Sequence, residues 1–287
     1  MKKLAKKSGR PGLGWMPDLP DNRDHLYAAP MAKLGPLPSR VSLRRHCPKV
    51  YNQGQIGSCT ANAIAAAIEF DRMKQKLADF IPSRLFIYYN ERRIEHSVPL
   101  DNGAQIRDGI KSVGKEGACP KTEWPYDDTP ADPNTNVWPS GATPAQKPPK
   151  SCYTDAKKFR AVSYQRVDRT LSQMKGCLAD GYPFVFGFTV YDSFESAEVA
   201  RSGVLEMPAA REGVIGGHAV LAVGLRRQDA ALYGAQFMGL KLGQKRLFHY
   251  ALLLFAHGQS FRRLLDDSPG PLTSHHRTCS TTCQSIG

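Results

Sequence analysis

The chain has 287 residues, of which 41% are hydrophobic and 23% are charged, and its formal net charge is +13. This composition excludes an intrinsically disordered chain and predicts a sizeable core, as one two-lobed domain or two small domains. No apolar run reaches the ~18 residues of a membrane span, and no apolar segment follows the Met-Lys-Lys start as it would in a secretory signal, so we expect a cytoplasmic protein without a membrane partner.

The positive charge lies at the two ends of the chain. Residues 1–49 carry 11 Lys/Arg and 3 Asp, a net charge of +8, and residues 225–287 carry 8 Lys/Arg and 3 Asp, a net charge of +5. These two values account for the whole excess of +13, so the segment between them is neutral. We interpret the ends as solvated basic segments and do not expect nucleic-acid binding as the main role.

The seven cysteines are odd in number and irregularly spaced. Without a secretory signal, this pattern does not favour a disulfide framework. Cys279 and Cys283, close to His275 and His276, could suggest a metal cluster, but a second pair of the kind found in zinc sites is missing. We therefore expect no metal and no organic cofactor.

The first half of the chain predicts an arm followed by helices. Residues 1–49 are rich in Pro, Gly and Lys, and we interpret them as an extended, partly mobile basic arm whose pieces Trp15 to Leu19 and Tyr27 to Pro30 pack on the body. Helical spacing and capping residues predict three helices, Ser58 to about Lys74, Arg84 to about Glu95, and Ala104 to about Val113 with Gly114 as its end. They form a predicted helical lobe at 50–130, which a Pro-rich connector at 131–150 follows.

The second half predicts mainly strands. Tyr153 to Val167 is strand-like, Leu171 to Asp180 is typical of a helix closed by Gly181, and two apolar runs, 183–191 and 218–224, indicate buried strands. Helices first and strands later predict an α+β chain, with a β-rich lobe at 151–224.

Cys59 lies at the start of the strongest predicted helix. The N–H groups and dipole of a helix N-terminus stabilise an anion, so this position predicts a lowered thiol pKa and a nucleophilic thiolate. A buried cysteine that only packs is the alternative.

Gln53 lies six residues before Cys59, where its side-chain amide could donate to an oxyanion if the chain folds back beside the sulfur. Gly54 and Gly57 permit such a close approach. A general base must come from elsewhere in the sequence. His218, which enters an apolar run after Gly216 and Gly217, is the candidate, and a histidine that only packs in the core is the alternative.

Together, the segment Gln53 to Cys59 and the segment Gly216 to Val220 resemble the nucleophile and histidine motifs of the papain-like cysteine peptidases. Further similar pieces extend the resemblance over roughly residues 12–224: Gly14 to Asp21, Pro82 to Tyr89, Gly103 to Gly109, Trp124 to Asp127 and Gly187 to Tyr191. It is closest to the short microbial and viral branch. The resemblance implies a papain-like two-lobed fold with Cys59 as nucleophile, Gln53 as oxyanion donor and His218 as base.

The resemblance also implies that Gly103, Ala104 and Gly217 contact the substrate, which would be a peptide or protein. Two residues depart from the family pattern: Thr60 stands where a Trp usually follows the nucleophile, and Ile56 stands where many members have a disulfide cysteine. No long helical pro-segment is evident before the domain, so we do not expect inhibition by a cleaved propeptide. The sequence leaves the oligomeric state open.

The resemblance stops after Gly224. The family orients its histidine with an Asn followed by Ser-Trp-Gly, but no Asn occurs after Asn136. Read one base further on, the codons of Gln236 to Leu240 permit Asn-Ser-Trp-Gly. We therefore hypothesise a frameshift close to Gly224 that makes residues 225–287 an out-of-frame tail; a divergent C-terminal segment is the alternative. Resequencing decides between them, because an uninterrupted read with unrelated codons contradicts the frameshift.

A frameshift would have two structural consequences. The β-rich lobe would lose its last strands, with disorder over most of 225–287, and His218 would lose the amide that holds its ring. The sequence thus predicts a cysteine-type peptidase that hydrolyses peptide bonds through a Cys–His thioester mechanism. A catalytically impaired peptide binder and a Cys–His acyl transferase are the alternatives.

Overall fold

The computed structural model describes residues 12–33, 38–226, 231–235, 248–251 and 257–264. The six helices of these residues are α1 (Cys59–Lys74), α2 (Arg84–Ile94), α3 (Ile106–Glu116), α4 (Lys150–Ala156), α5 (Leu171–Ala179) and α6 (Ala197–Ser202). Helix α1 is buried from Cys59 to Arg72, so it is the central element around which the rest packs. No helix among the described residues is both long and apolar enough to cross a membrane.

Two of the first three helices begin and end close to their predicted limits. Ser83 caps α2 by accepting a hydrogen bond at its Oγ from the N–H of Phe86 at 3.1 Å, as a serine before a helix should. The predicted end of α3 at Gly114 is wrong, because the helix continues to Glu116. The chain turns instead at Gly117, whose φ of +83° is the left-handed conformation that glycine adopts without strain.

The prediction of a strand from Tyr153 onwards is also wrong in its first half. Helix α4 occupies Lys150–Ala156, and Cys152 and Ala156 pack against Phe86 of α2 in a small apolar cluster. This tertiary contact outweighs the weak local preference for a strand. The prediction of α5 is confirmed, and Gly181 follows it with a φ of +86°.

The strands are β1 (Trp15–Met16), β2 (Leu26–Tyr27), β3 (Arg40–Ser42), β4 (Ala104–Gln105), β5 (Ala161–Val167), β6 (Phe184–Tyr191), β7 (Val204–Leu205), β8 (Val214–Arg226), β9 (Ala231–Ala235), β10 (Phe248–Ala251) and β11 (His257–Leu264). β1 and β4 form a separate parallel pair. The others form one sheet in the order β2-β5-β11-β6-β8-β9-β10-β7, with β3 also paired to β8. The fold is therefore α+β, as predicted.

The expected loss of the last strands is wrong for the described part of the tail. β9 pairs with β8, and β11 lies between β5 and β6 in antiparallel register. Sheet ladders use main-chain groups, which almost any sequence supplies, and an uncovered edge beside β6 would leave such groups without partners. The other residues of 225–287, for which we expected disorder, lie outside the described residues.

The central strands β6 and β8 separate two apolar clusters. Val185, Ala219 and Leu221 belong to the cluster around α1, whereas Phe186, Phe188 and Val220 belong to the cluster on the other face. This alternation is what a strand buried on both faces produces. It places the backbone next to His218 against the start of α1, which positions the site.

Candidate active site

Cys59 is the first residue of α1 and is fully buried. The turn before it is fixed by Ser58, whose carbonyl accepts hydrogen bonds from the backbone N–H of Asn62 at 3.0 Å and from its Nδ2 at 2.8 Å. The hydroxyl of Ser58 also shares a 2.6 Å hydrogen bond with that of Tyr126. The sulfur is thus held at a helix N-terminus, as the sequence predicts.

The expected lowering of the Cys59 pKa is wrong in this structure. Burial raises the pKa of the thiol to about 12, although backbone groups of Gly14, Ala219 and Thr60 beside the sulfur act to lower it. Desolvation of a thiolate outweighs the helix terminus because Cys59 is fully buried. The thiol is therefore neutral near neutral pH.

Gln53 lies beside this turn and is fully buried. Its Nε2 donates hydrogen bonds to the carbonyl oxygens of Gly12 and Ile56, each at 2.9 Å. The backbone comes back towards the helix at Gly54, whose φ is +67°, as the two-glycine pattern predicts. The Gln53 amide is thus already bound to a peptide carbonyl, which comes from the N-terminal arm of the same chain.

His218 lies on β8, opposite Phe188 of β6, and is fully buried. Its ring lies edge-on to Phe188 and tilted to Phe194, with ring centroids 5.9 and 6.0 Å away. Burial lowers the pKa of the imidazole to about 3, and the backbone of Gly12 acts in the opposite direction. Among the described residues, neither ring nitrogen makes a hydrogen bond of normal geometry, whereas Gln236 and Phe237, where the shifted frame permits Asn, lie outside them.

The segment Gly12 to Met16, which we call the groove segment, runs between these groups. The carbonyl of Gly14 accepts a hydrogen bond from the N–H of Ala104 at 2.8 Å, and β1 and β4 pair in parallel from this point. A Cβ on Gly14 would overlap the carbonyl of Gly57, and a Cβ on Gly103 would overlap that of Gly14. Backbone therefore packs directly on backbone, which explains the glycines at 14 and 103.

Trp15 completes the contacts of the groove segment. Its side chain is buried and lies over Gly187 and Gly217, where a Cβ on either glycine would collide with Trp15. The six residues that the sequence predicts for the site all lie next to the groove segment. They are Gln53, Cys59, Gly103, Ala104, Gly217 and His218. The structure thus brings together the whole predicted set around one extended stretch of the chain itself.

Sequence reasoning missed this use of the arm and the support behind the nucleophile. We expected Trp15 to Leu19 only to pack on the body, and the alternation of Gly12 and Gly14 with larger residues was the available signal of a close backbone approach.

Sequence reasoning also missed a hydrogen bond behind the nucleophile. Thr60 donates a 2.7 Å hydrogen bond to Glu91, which is fully buried, and burial raises the pKa of that carboxyl well above 4.5. No local motif marks Glu91, because only the packing of α2 on α1 brings it there.

A buried thiol at a helix N-terminus, an amide donor at the turn before it and an imidazole on the facing sheet are the kinds of groups that thiol-dependent acyl transfer uses. The crystal structure of xylellain, a cysteine protease from Xylella fastidiosa, matches with a TM-score of 0.82 and 42% sequence identity, covering 91% of this chain and 99% of that chain. No family model matches. The chain belongs to the papain-like cysteine peptidase family.

Two further comparisons agree. An uncharacterized peptidase C1-like protein of Acanthamoeba polyphaga mimivirus is 42% identical over 207 residues, which are 69% of this chain, so the chain spans 62% of the length of that relative. A procathepsin B of Trypanosoma congolense shares the fold, with a TM-score of 0.64 at 14% identity, covering 89% of this chain and 87% of that chain.

Proposed function

We propose that this chain is a cysteine-type peptidase that cleaves peptide bonds of peptide or protein substrates through a thioester. The observation that carries the proposal is the groove segment: the candidate site already holds an extended polypeptide by its main chain. Gln53 donates to one peptide carbonyl and Ala104 donates to another two residues further on. A substrate strand offers the same groups.

Cys59 supplies the nucleophile in this proposal. Its thiolate attacks the scissile carbonyl carbon, and the carbonyl oxygen becomes an oxyanion that the Nε2 of Gln53 and the backbone N–H of Cys59 stabilise. His218 takes the thiol proton and delivers it to the leaving amine, and water then hydrolyses the thioester. Gly103, Ala104 and Gly217 provide the backbone surface along which the substrate lies.

The closed arrangement sets the starting protonation state. With the groove segment in place, burial favours the neutral thiol and the neutral imidazole. We infer that displacement of the groove segment admits water and lets proton transfer from Cys59 to His218 occur, because desolvation is the main cause of both shifts. We expect a cytoplasmic protein, since none of the five described cysteines forms a disulfide bond.

Covalent labelling with an epoxide-type cysteine-peptidase probe tests the proposal. We expect one label per chain, mapped to Cys59 by peptide mass spectrometry and lost in Cys59→Ala. Cys47→Ala is the matched control, because burial also raises the pKa of that thiol to about 12. Labelling of Cys59 without peptide hydrolysis would instead indicate the impaired peptide binder, and transfer of the acyl group to an added amine in preference to water would indicate a transferase.

A further inference from the structure

Asp101 lies behind the turn that leads into Cys59, on the loop between α2 and β4. Its two carboxylate oxygens share the backbone N–H of Gly57, which lies 3.0 Å from each of them. Oδ1 also accepts a hydrogen bond from the hydroxyl of Tyr88 on α2, and the N–H of Asp101 donates to the carbonyl of Asn136 at 2.8 Å. These contacts hold the carboxylate against the main chain two residues before the nucleophile.

Helix α2 supports the carboxylate from the other side. Arg92 is fully buried, and its guanidinium lies 4.0 Å from the centroid of the Tyr88 ring. It also donates a 3.2 Å hydrogen bond to the carbonyl of Leu100, the residue before Asp101. Burial raises the pKa of Asp101, and the positive charge of Arg92 opposes this rise. The cation thus stabilises the charged carboxylate, which accepts a hydrogen bond more strongly than a neutral carboxyl group does.

The N–H that Asp101 binds belongs to the same peptide group as the carbonyl of Ile56. A trans peptide group is planar, so its N–H and its carbonyl point in opposite directions and turn together. On the side away from Asp101, the Ile56 carbonyl accepts a hydrogen bond from Nε2 of Gln53 at 2.9 Å and one from the N–H of Ser58 at 2.9 Å. Asp101 therefore acts on the orientation of an acceptor that holds the Gln53 amide.

The Gln53 amide depends on that acceptor. Its Nε2 carries two N–H groups, and its two acceptors are the Ile56 carbonyl and the carbonyl of Gly12 in the groove segment. Among the described residues, Oε1 of Gln53 makes no hydrogen bond. When a substrate replaces the groove segment, the Ile56 carbonyl is thus the remaining acceptor that fixes the amide. An oxyanion donor is effective only if its direction is set before the charge develops.

We propose that Asp101 is a positioning residue of the active site: it fixes the Ile56–Gly57 peptide group and, through it, the Gln53 amide that binds the oxyanion. Without this carboxylate the peptide group can rotate, because Gly57 has no side chain that hinders rotation. The hydrogen bond from Ser58 remains, so the amide is loosened and not released. The inference rests on the proposed function, because the amide needs a set direction only if an oxyanion forms.

Steady-state peptide hydrolysis by full-length variants gives the first test. We expect Asp101→Ala to lower kcat on the order of tenfold and to change KM by less than about twofold, since the amide acts in the transition state. Asp101→Asn keeps one acceptor oxygen and should recover part of the loss. Tyr88→Phe is the matched control, because it removes the other hydrogen bond of the same carboxylate and should lower kcat less than Asp101→Ala does. A raised KM with unchanged kcat in Asp101→Ala, or an equal loss of kcat in Tyr88→Phe, would overturn the proposal.

A double-mutant cycle with Gln53 separates positioning from a general structural role. If Asp101 acts through the Gln53 amide, Asp101→Ala should change the kcat of Gln53→Ala by less than about twofold, because the group that it positions is already absent. A residue that only stabilises the loop would instead lower kcat by the same factor with and without the amide. That second outcome would overturn the proposal.

Thermal unfolding shows whether each variant is folded, and Asp101→Asn replaces Asp101→Ala in the cycle if the latter is not. A measurement without catalysis keeps the inference separate from the proposed function. In the NMR spectrum of the full-length chain, the side-chain amide signals of Gln53 are assigned by their loss in Gln53→Ala. Asp101→Asn should shift the signal of the proton donated to Ile56, whereas Asp132→Asn, which changes an exposed carboxylate bound within its own turn, should not.

These results distinguish the two possible failures. If the unchanged chain hydrolyses no peptide, the proposed function fails, and the Gln53 amide signals alone decide whether Asp101 fixes this side chain. If the chain hydrolyses peptides but the amide signals of Asp101→Asn are the same as those of the unchanged chain, the positioning role of Asp101 is overturned and the proposed function stands.

Discussion

The N-terminal arm is held in two regions by different kinds of contact. The groove segment, Gly12 to Met16, is held by main-chain hydrogen bonds and one indole. The anchor segment, Asp18 to Tyr27, is held by charged side chains: Asp24 accepts hydrogen bonds from Arg107 at 2.6 and 3.1 Å and from Arg166 at 2.8 Å. All three side chains of this ion cluster are mostly buried, between 6% and 16% exposed.

This difference indicates which of the two segments a substrate can displace. A substrate peptide can copy main-chain groups and an aromatic ring, but it cannot copy a carboxylate placed between two particular arginines. We therefore expect the groove segment to be displaced while the anchor segment stays bound. The arm would then act as a tethered competitor of the substrate, which is more than the basic, solvated arm predicted from composition.

The largest expected effect is at the anchor. Asp24→Asn leaves two buried guanidinium groups without their carboxylate, so we expect the free energy of unfolding to fall by about 3–5 kcal/mol, as for the loss of one partner of a buried ion pair. Denaturant unfolding measures the change. Asp21→Asn is the control, because its partner Arg23 is exposed. A similar loss of stability in both variants would contradict a larger contribution from the buried ion cluster of Asp24.

The pH dependence of the anchor has a definite sign. Burial acts to raise the pKa of Asp24, but the hydrogen bonds from Arg107 and Arg166 outweigh it, so the pKa lies below 3.8. A lowered carboxyl pKa gives stability that is present above the unfolded pKa and is lost as pH falls through the folded one. The anchor should therefore stay intact from pH 7 to pH 5, and a destabilisation by Asp24→Asn that vanishes at pH 5 would contradict it.

In the groove, Gln53 should matter more for chemistry than for stability. Gln53→Ala removes an oxyanion donor, for which we expect turnover to fall about 100-fold or more. The arm loses a single neutral hydrogen bond, worth about 1 kcal/mol. Steady-state kinetics measures the turnover of this variant, and denaturant unfolding measures its stability. A large loss of stability with little loss of turnover would contradict the role of Gln53 as an oxyanion donor.

The reactivity of the Cys59 thiol reports whether the groove segment is bound or displaced. With a pKa of about 12, its alkylation rate should rise roughly tenfold per pH unit from pH 7 to pH 10 without a plateau, because only the thiolate reacts. Mass spectrometry after timed iodoacetamide treatment measures the rate at Cys59. A plateau already at pH 7 in the unchanged chain would mean that the thiolate is stable while the arm is bound.

The smallest effect is expected behind the nucleophile. Glu91→Gln keeps an oxygen that can accept the hydrogen bond of Thr60 and avoids burying a charge, so stability should change by less than about 1 kcal/mol. Glu91→Ala would also leave a cavity and should cost more. Thermal unfolding compares the two, and a strongly destabilised Glu91→Gln would show that the charged carboxylate is needed.

Local patterns in the sequence predicted much of the fold and the identity of the candidate residues. Helix α1, its start at Cys59 and the amide of Gln53 all follow from short-range spacing. The position of the arm, the end of α3 at Glu116, and α4 could not be predicted in this way, because contacts between distant residues determine them. The expected fall of the Cys59 pKa was wrong for the same reason. A helix N-terminus is visible in the sequence, but burial under Gly14 depends on a contact between distant residues.

The most direct test of this account is the rate at which an epoxide-type probe modifies Cys59 in the full-length chain and in its Trp15→Ala variant. We expect the label at Cys59 in both and a rate at least ~tenfold higher in the variant, since the tethered segment no longer fills the groove. Equal rates, or a label on any other cysteine, would contradict a Cys59 nucleophile covered by the chain's own N-terminal arm.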